Sequence, residues 1–137
     1  MIAYIDLEEA IFSAFATIPA IQTVFGDAPV RIFATLAPQE LVQTPYAVFI
    51  VTNANLLNRT PKPELDATYR LEAYADTRAL AQSAQAVLHQ ALMNADFDTG
   101  EYDCYQVQWL GTIGSAVYEG GRVLWRVAGE YRVRWVG

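Results

Sequence analysis

Residues 105–135 read YQVQWLGTIGSAVYEGGRVLWRVAGEYRVRW, and this stretch decides the fold. Tyr105, Val107, Trp109, Gly111 and Ile113 fall on alternate positions, as do Val123, Trp125, Val127, Gly129, Tyr131, Val133 and Trp135. That period marks two half-buried strands, and Glu119-Gly120-Gly121 is the turn between them. Parity sets the expected loop. A three-residue loop pairs odd positions with odd, so that Trp109 faces Tyr131, Tyr105 faces Trp135 and Gly111 faces Gly129.

The same reading extends toward the N-terminus. Leu65 to Ala75 alternates, with Leu65, Ala67, Tyr69, Leu71 and Ala73 on one side and Thr68, Arg70, Glu72 and Tyr74 on the other. Tyr46 to Thr52 is a near-continuous apolar run, the pattern of a strand covered on both faces. Val30 to Leu36 reads as a further strand. Asn53 to Pro63 between them reads as a long hairpin connection.

Helical spacing appears in three places. Asp6 with Glu9 makes a capping box ahead of the stripe Leu7, Ile11, Ala14, Phe15 and Ile18. Pro19 to Phe25 suits one short helix closed by Gly26. Asp76 is the expected cap of a longer helix with the stripe Leu80, Ala84, Val87, Leu88, Ala91 and Leu92. No strand–helix–strand repeat is present. The expected fold is α+β, one domain over 1–137, with a mainly antiparallel sheet of about five strands and two helices packed on one face.

Composition bounds the function classes. The chain has 137 residues, 18% charged and 53% apolar, which excludes a disordered chain. One cysteine, Cys104, excludes a disulfide scaffold. Nine basic against 15 acidic residues give −6, the opposite of a protein that grips phosphates. No apolar run is long enough for a membrane helix, and the MIAYIDLEEA start lacks a signal-peptide pattern, so a cytoplasmic product is expected.

The chemistry-bearing residues form no catalytic pattern. His89, the one histidine, falls beside the helical stripe and reads as a boundary residue; Cys104 reads as a structural thiol. Asp96, Asp98, Glu101 and Asp103 resemble a calcium loop briefly, but Gly100 is fifth instead of sixth and Val107 occupies the twelfth place. No phosphate-binding glycine loop occurs. Neither metal nor cofactor is expected, and no enzyme activity.

Eight arginines against one lysine, Lys62, offer a different lead. Arg122, Arg126, Glu130, Arg132 and Arg134 share the outward face of the last strand, and Arg70 and Glu72 that of an earlier one. Arginine suits packed, hydrogen-bonded interfaces, so Arg70, Glu72, Arg126, Glu130, Arg132 and Arg134 are candidates for a subunit interface. An ordinary solvated face, or a GC-rich genome, is the alternative. In the 53–63 connection, Asn55, Leu56, Leu57, Asn58 and Arg59 are candidates for a partner-binding hairpin, with a merely floppy connection as the alternative.

Taken in order, LEEAIFSAF (7–15), VRIFATLAPQE (30–40) with TPYAVFIV (44–51), YRLEAYADTRALAQSAQAVLHQAL (69–92) and GRVLWRVAGEYRVRW (121–135) resemble the tail terminator, or tail completion, proteins of long-tailed bacteriophages, prophages and gene transfer agents. The resemblance is one of pattern and order over nearly the whole chain. It implies a structural, non-enzymatic virion protein at the neck end of the tail, assembled in the host cytoplasm. Its implied partners are five further copies in a hexameric ring, the tail tube protein and the head–tail connector protein, with DNA passing through unbound. A head–tail connector or other neck protein is the nearest alternative. A small α+β ligand-binding module, or an enzyme using carboxylates such as Asp96, Asp98 and Glu101, is a more distant one.

Overall fold

The computed structural model describes residues 11–26, 30–34, 43–57, 64–94, 103–119 and 121–136. Helix α1 is described over 11–16. It is followed by α2 (Pro19–Phe25), β1 (Ile32–Ala34), β2 (Tyr46–Leu57), β3 (Glu64–Ala75), α3 (Arg78–Asn94), β4 (Asp103–Glu119) and β5 (Arg122–Val136). The strands form one sheet in the order β1-β2-β3-β5-β4. All neighbours are antiparallel except β1 and β2. The α+β architecture expected from the pattern is the one observed.

Odd positions of β3 and β5 turn toward the helices. Tyr69, Leu71, Tyr131, Val133 and Trp135 share one core with Ile11 and Phe15 of α1, Ile21 and Phe25 of α2, and Ala84, Leu88 and Leu92 of α3. The helices therefore cover one face. The other face has a smaller apolar cluster, in which Tyr46, Val48, Tyr74 and Leu124 are buried. Tyr46 and Tyr74 are direct cross-strand partners, and their rings stack 4.8 Å apart. β2 is thus covered on both sides at its start, as its unbroken apolar run implies.

α2 spans the expected residues and ends on Gly26 with φ 84°, a conformation that costs glycine little. α3 differs from expectation at its start. The Leu80 N–H donates to the Thr77 hydroxyl, so Thr77 is the cap and not Asp76. The stripe departs from expectation at its start, where Ala81 is fully buried and Leu80 is exposed, whereas Ala84, Leu88, Ala91 and Leu92 are buried as expected. The Asp6 cap and the acidic residues 96–101 lie outside the described residues.

The last hairpin corrects the expected register. Glu119 pairs with Arg122, which leaves two residues in the loop instead of three, and Gly121 takes φ 80° there. Near the turn odd positions therefore meet even ones, for instance Gly114 and Val127. An extra residue on β4, Leu110, then restores odd-with-odd pairing, and Trp109 does face Tyr131. Gly111, at φ 154°, follows the bulge and faces Glu130, not Gly129. A second extra residue, Tyr105, brings Cys104 and not Tyr105 opposite Trp135. One inserted residue turns every later side chain over, so Ile113 lies on the opposite face from Trp109. The connection between β2 and β3 is also shorter than read. Asn53 to Leu57 continue β2 and pair with Thr68 to Glu64, past a bulge at Thr52.

Gly129 is held by close approach. A Cβ there would lie 2.6 Å from Gln85 Nε2 and 2.9 Å from Tyr131 Cε2 and Oη. The glutamine tip can swing, but the fully buried Tyr131 ring cannot follow freely. Gly129→Ala is expected to cost about 1–3 kcal/mol in urea unfolding. A wild-type midpoint would show that α3 is free to lift.

Candidate assembly surface

Even positions of β3 and β5 build a charged lattice on the face away from the helices. Glu72 is its centre, with a side chain only 6% exposed. Arg126 Nη1 lies 3.5 Å from Glu72 Oε2, and Arg70 Nη1 lies 3.9 Å from the same oxygen. The Tyr74 hydroxyl donates to Glu72 Oε1 over 3.1 Å. Arg70 also donates to Glu130 over 3.1 Å. Farther along, Arg132 Nε is 3.1 Å and Arg134 Nε 3.8 Å from the two oxygens of Asp66. Arg126 and Arg134 reach across to Ser115 and Gln106 of β4.

The structure therefore places all six sequence-selected residues on one face, in two clusters: Arg70, Glu72, Arg126 and Glu130 in one, and Arg132 and Arg134 around Asp66 in the other. Asp66 belongs with them and was missed, although it shares the even parity of Arg70 and Glu72. Of the hairpin candidates, Asn55, Leu56 and Leu57 stand in β2 and not in a loop. Asn58 and Arg59 lie outside the described residues.

The helix-covered face has a feature with no strong sequence signal. α3 stops short of β4, leaving a cavity of about 620 Å³ lined by Gln85, His89, Trp109, Thr112, Trp125 and Tyr131, among others. His89 Nδ1 and the Tyr131 hydroxyl are hydrogen-bonded at 2.8 Å, and the His89 ring meets Trp109 edge-on at 5.4 Å. His89 is a boundary residue with a structural partner. Gln85 is buried, and its side chain opposes the upward pKa shift of the Tyr131 hydroxyl beside it. Among the described residues no cluster of three or more His, Cys, Asp or Glu could hold a metal ion, and no helix is long and apolar enough to cross a membrane.

Two buried phenols couple the fold to alkaline pH. Burial pushes Tyr131 up to about 12. Burial, reinforced by the Glu72 charge and hydrogen bond and opposed by Arg126, pushes Tyr74 up to about 12. Each is raised above its ordinary value of 10.0, so the neutral phenol suits the folded state. Their contribution is intact below pH 10 and is lost as pH rises from 10 toward 12. Thermal melts are expected to fall across that window. Tyr131→Phe should flatten the fall, and superimposable pH profiles for the two proteins would contradict the assignment.

Large apolar side chains crowd the border of the sheet. Trp109, Leu110, Ile113 and Tyr118 on β4, and Val123 on β5, are all exposed, Ile113 to 71% and Tyr118 to 77%. They do not form one patch, because Trp109 is on the helix side and Ile113 on the other.

No family model matches the chain, and no curated protein matches it. Among solved structures it is similar to a chain of the virion of a native gene transfer agent (GTA) particle. The TM-score is 0.75 at 15% identity, over 96% of this chain and 95% of that one. The fold is therefore one that a component of a gene transfer agent virion also adopts, from end to end.

Proposed function

We propose that the chain is a virion structural protein and, within that class, the tail terminator of a phage, prophage or gene transfer agent particle. The observation that carries this reading is the end-to-end likeness to a gene transfer agent virion chain of nearly equal span. The sequence resemblance to tail terminators points the same way. The protein acts by shape and not by catalysis.

The mechanism follows from how tubes grow. Stacked rings present unlike faces, so addition continues until something closes the end. A terminator ring binds that end and offers a different outer face to the head connector. Six copies at −6 each carry −36, which disfavours phosphate binding in the DNA path. The charged face around Arg70, Glu72, Arg126, Glu130, Arg132 and Arg134 serves as a contact between subunits. The hairpin candidates Asn55, Leu56 and Leu57 of β2, with Asn58 and Arg59 that follow in sequence, meet the tube or the connector.

Adding the purified protein to growing tail tubes tests this. Elongation is expected to stop, with the protein found at tube ends. Tubes that grow on undecorated would contradict termination. A head–tail connector, which the same virion likeness also fits, would leave elongation unaffected.

A further inference from the structure

β4 borders the sheet, and from Gln106 to Tyr118 its outer edge meets no other strand among the described residues. Residues 104–118 contain no Asp, Glu, Lys, Arg or Pro. Exposed edges are normally guarded by charge, proline or shortness, because their free N–H and C=O groups template further pairing. This edge is 17 residues long and carries four exposed large apolar side chains, Trp109, Leu110, Ile113 and Tyr118. The bulge at Leu110 sends them to both sides. Trp109 packs on His89 of α3, whereas Ile113, opposite Ala128, is on the face of the charged lattice. A helix laid on either face would leave the other bare. A strand added in the plane, bringing its own sheet, covers both.

The opposite border has a matching feature. β1 pairs only with Ala47 to Phe49, so β2 beyond them, residues 50–57, presents a second edge without a strand partner among the described residues. Its sequence, IVTNANLL, is also uncharged.

We propose that the sheet of one copy continues into the next, the β4 edge of one pairing with the β2 edge of its neighbour. A second copy is the occupant because the two edges complement each other, both uncharged and at opposite borders. The lack of cations on β4 disfavours nucleic acid. Two unlike edges per copy make a head-to-tail contact, which closes into a ring or runs on, whereas β4 pairing with itself would stop at a dimer and leave β2 bare. The pairing uses the backbone edge of β2. It goes beyond the terminator reading and stands on the sheet alone.

Sedimentation of three proteins tests it: wild type, Ile113→Lys, which charges the β4 edge, and Thr52→Lys, which charges the β2 edge. Both positions are exposed, so circular dichroism should be unchanged. Wild type is expected to form species larger than dimers. Each variant should associate about tenfold or more weakly, because a lysine would be desolvated in the joint. An equal mixture of the two variants should form a one-to-one dimer and nothing larger, since it contains one compatible pair of intact edges. Monomeric wild type at every soluble concentration, variants that assemble like wild type, dimers of Thr52→Lys alone, or a mixture that does not pair would each overturn the proposal. These are solution measurements, so they fail independently of tail-tube capping.

Discussion

Trp135→Ala is expected to remove about 3–5 kcal/mol of stability, a large part of what a domain this size possesses. Trp135 is the largest of the fully buried side chains. It stands on β5 between Leu65 of β3 and Cys104 of β4, within the core shared with all three helices. Truncation there opens a cavity where three strands meet and relaxation is limited. Trp135→Phe separates packing from polarity. Among the described residues the Trp135 Nε1–H has no hydrogen-bond partner, so phenylalanine loses volume but no bond, and a cost of about 1–2 kcal/mol is expected. Urea unfolding measures both. Equal costs for the two variants would show that cavity formation is not the cause.

Arg126→Glu is expected to cost about 3 kcal/mol. It places a second carboxylate against Glu72, whose side chain is 6% exposed and already desolvated. The figure is below the upper range for a broken buried pair because Arg126 is one-third exposed, and because Arg70 and the Tyr74 hydroxyl still reach Glu72. In a Glu72→Gln background the cost of Arg126→Glu should fall to about 1 kcal/mol or less. An undiminished cost would place the effect elsewhere, for instance in the Arg126 bond to Ser115. Arg132→Glu behaves differently. Arg132 is 42% exposed and faces Asp66 near the surface, so about 1 kcal/mol or less is expected. Arg132→Glu is therefore the variant that probes the charged face as a subunit contact without unfolding the monomer. Its expected signature is weaker ring formation at nearly wild-type melting temperature.

Residue parity made most of the fold legible. Leu65 to Ala75 alternates without interruption, and its odd set is the set buried against the helices. Pro19 and Gly26 delimit α2 because each constrains the backbone locally. Long-range geometry was not legible. The extra residues Thr52, Tyr105 and Leu110 lie in runs that read as continuous strands, and each bulge exists only relative to a partner strand. The Asp76 and Thr77 pair offers two capping side chains one residue apart, and the hydrogen bond to Leu80 N–H chooses between them. For the candidate surface, parity placed Arg70, Glu72, Arg126, Glu130, Arg132 and Arg134 on one face. The pairing of Arg126 with Glu72 depends on β3–β5 register, in which Tyr74 is opposite Arg126. The β4 edge escaped notice because a border position is a property of strand order, not of sequence.

Electron microscopy of particles made without this protein tests the central claim most directly. If the chain seals the growing tail tube, those particles should show tails of uncontrolled length that carry no heads, and supplying the protein again should restore one length. Tails of a single normal length in its absence would contradict the account.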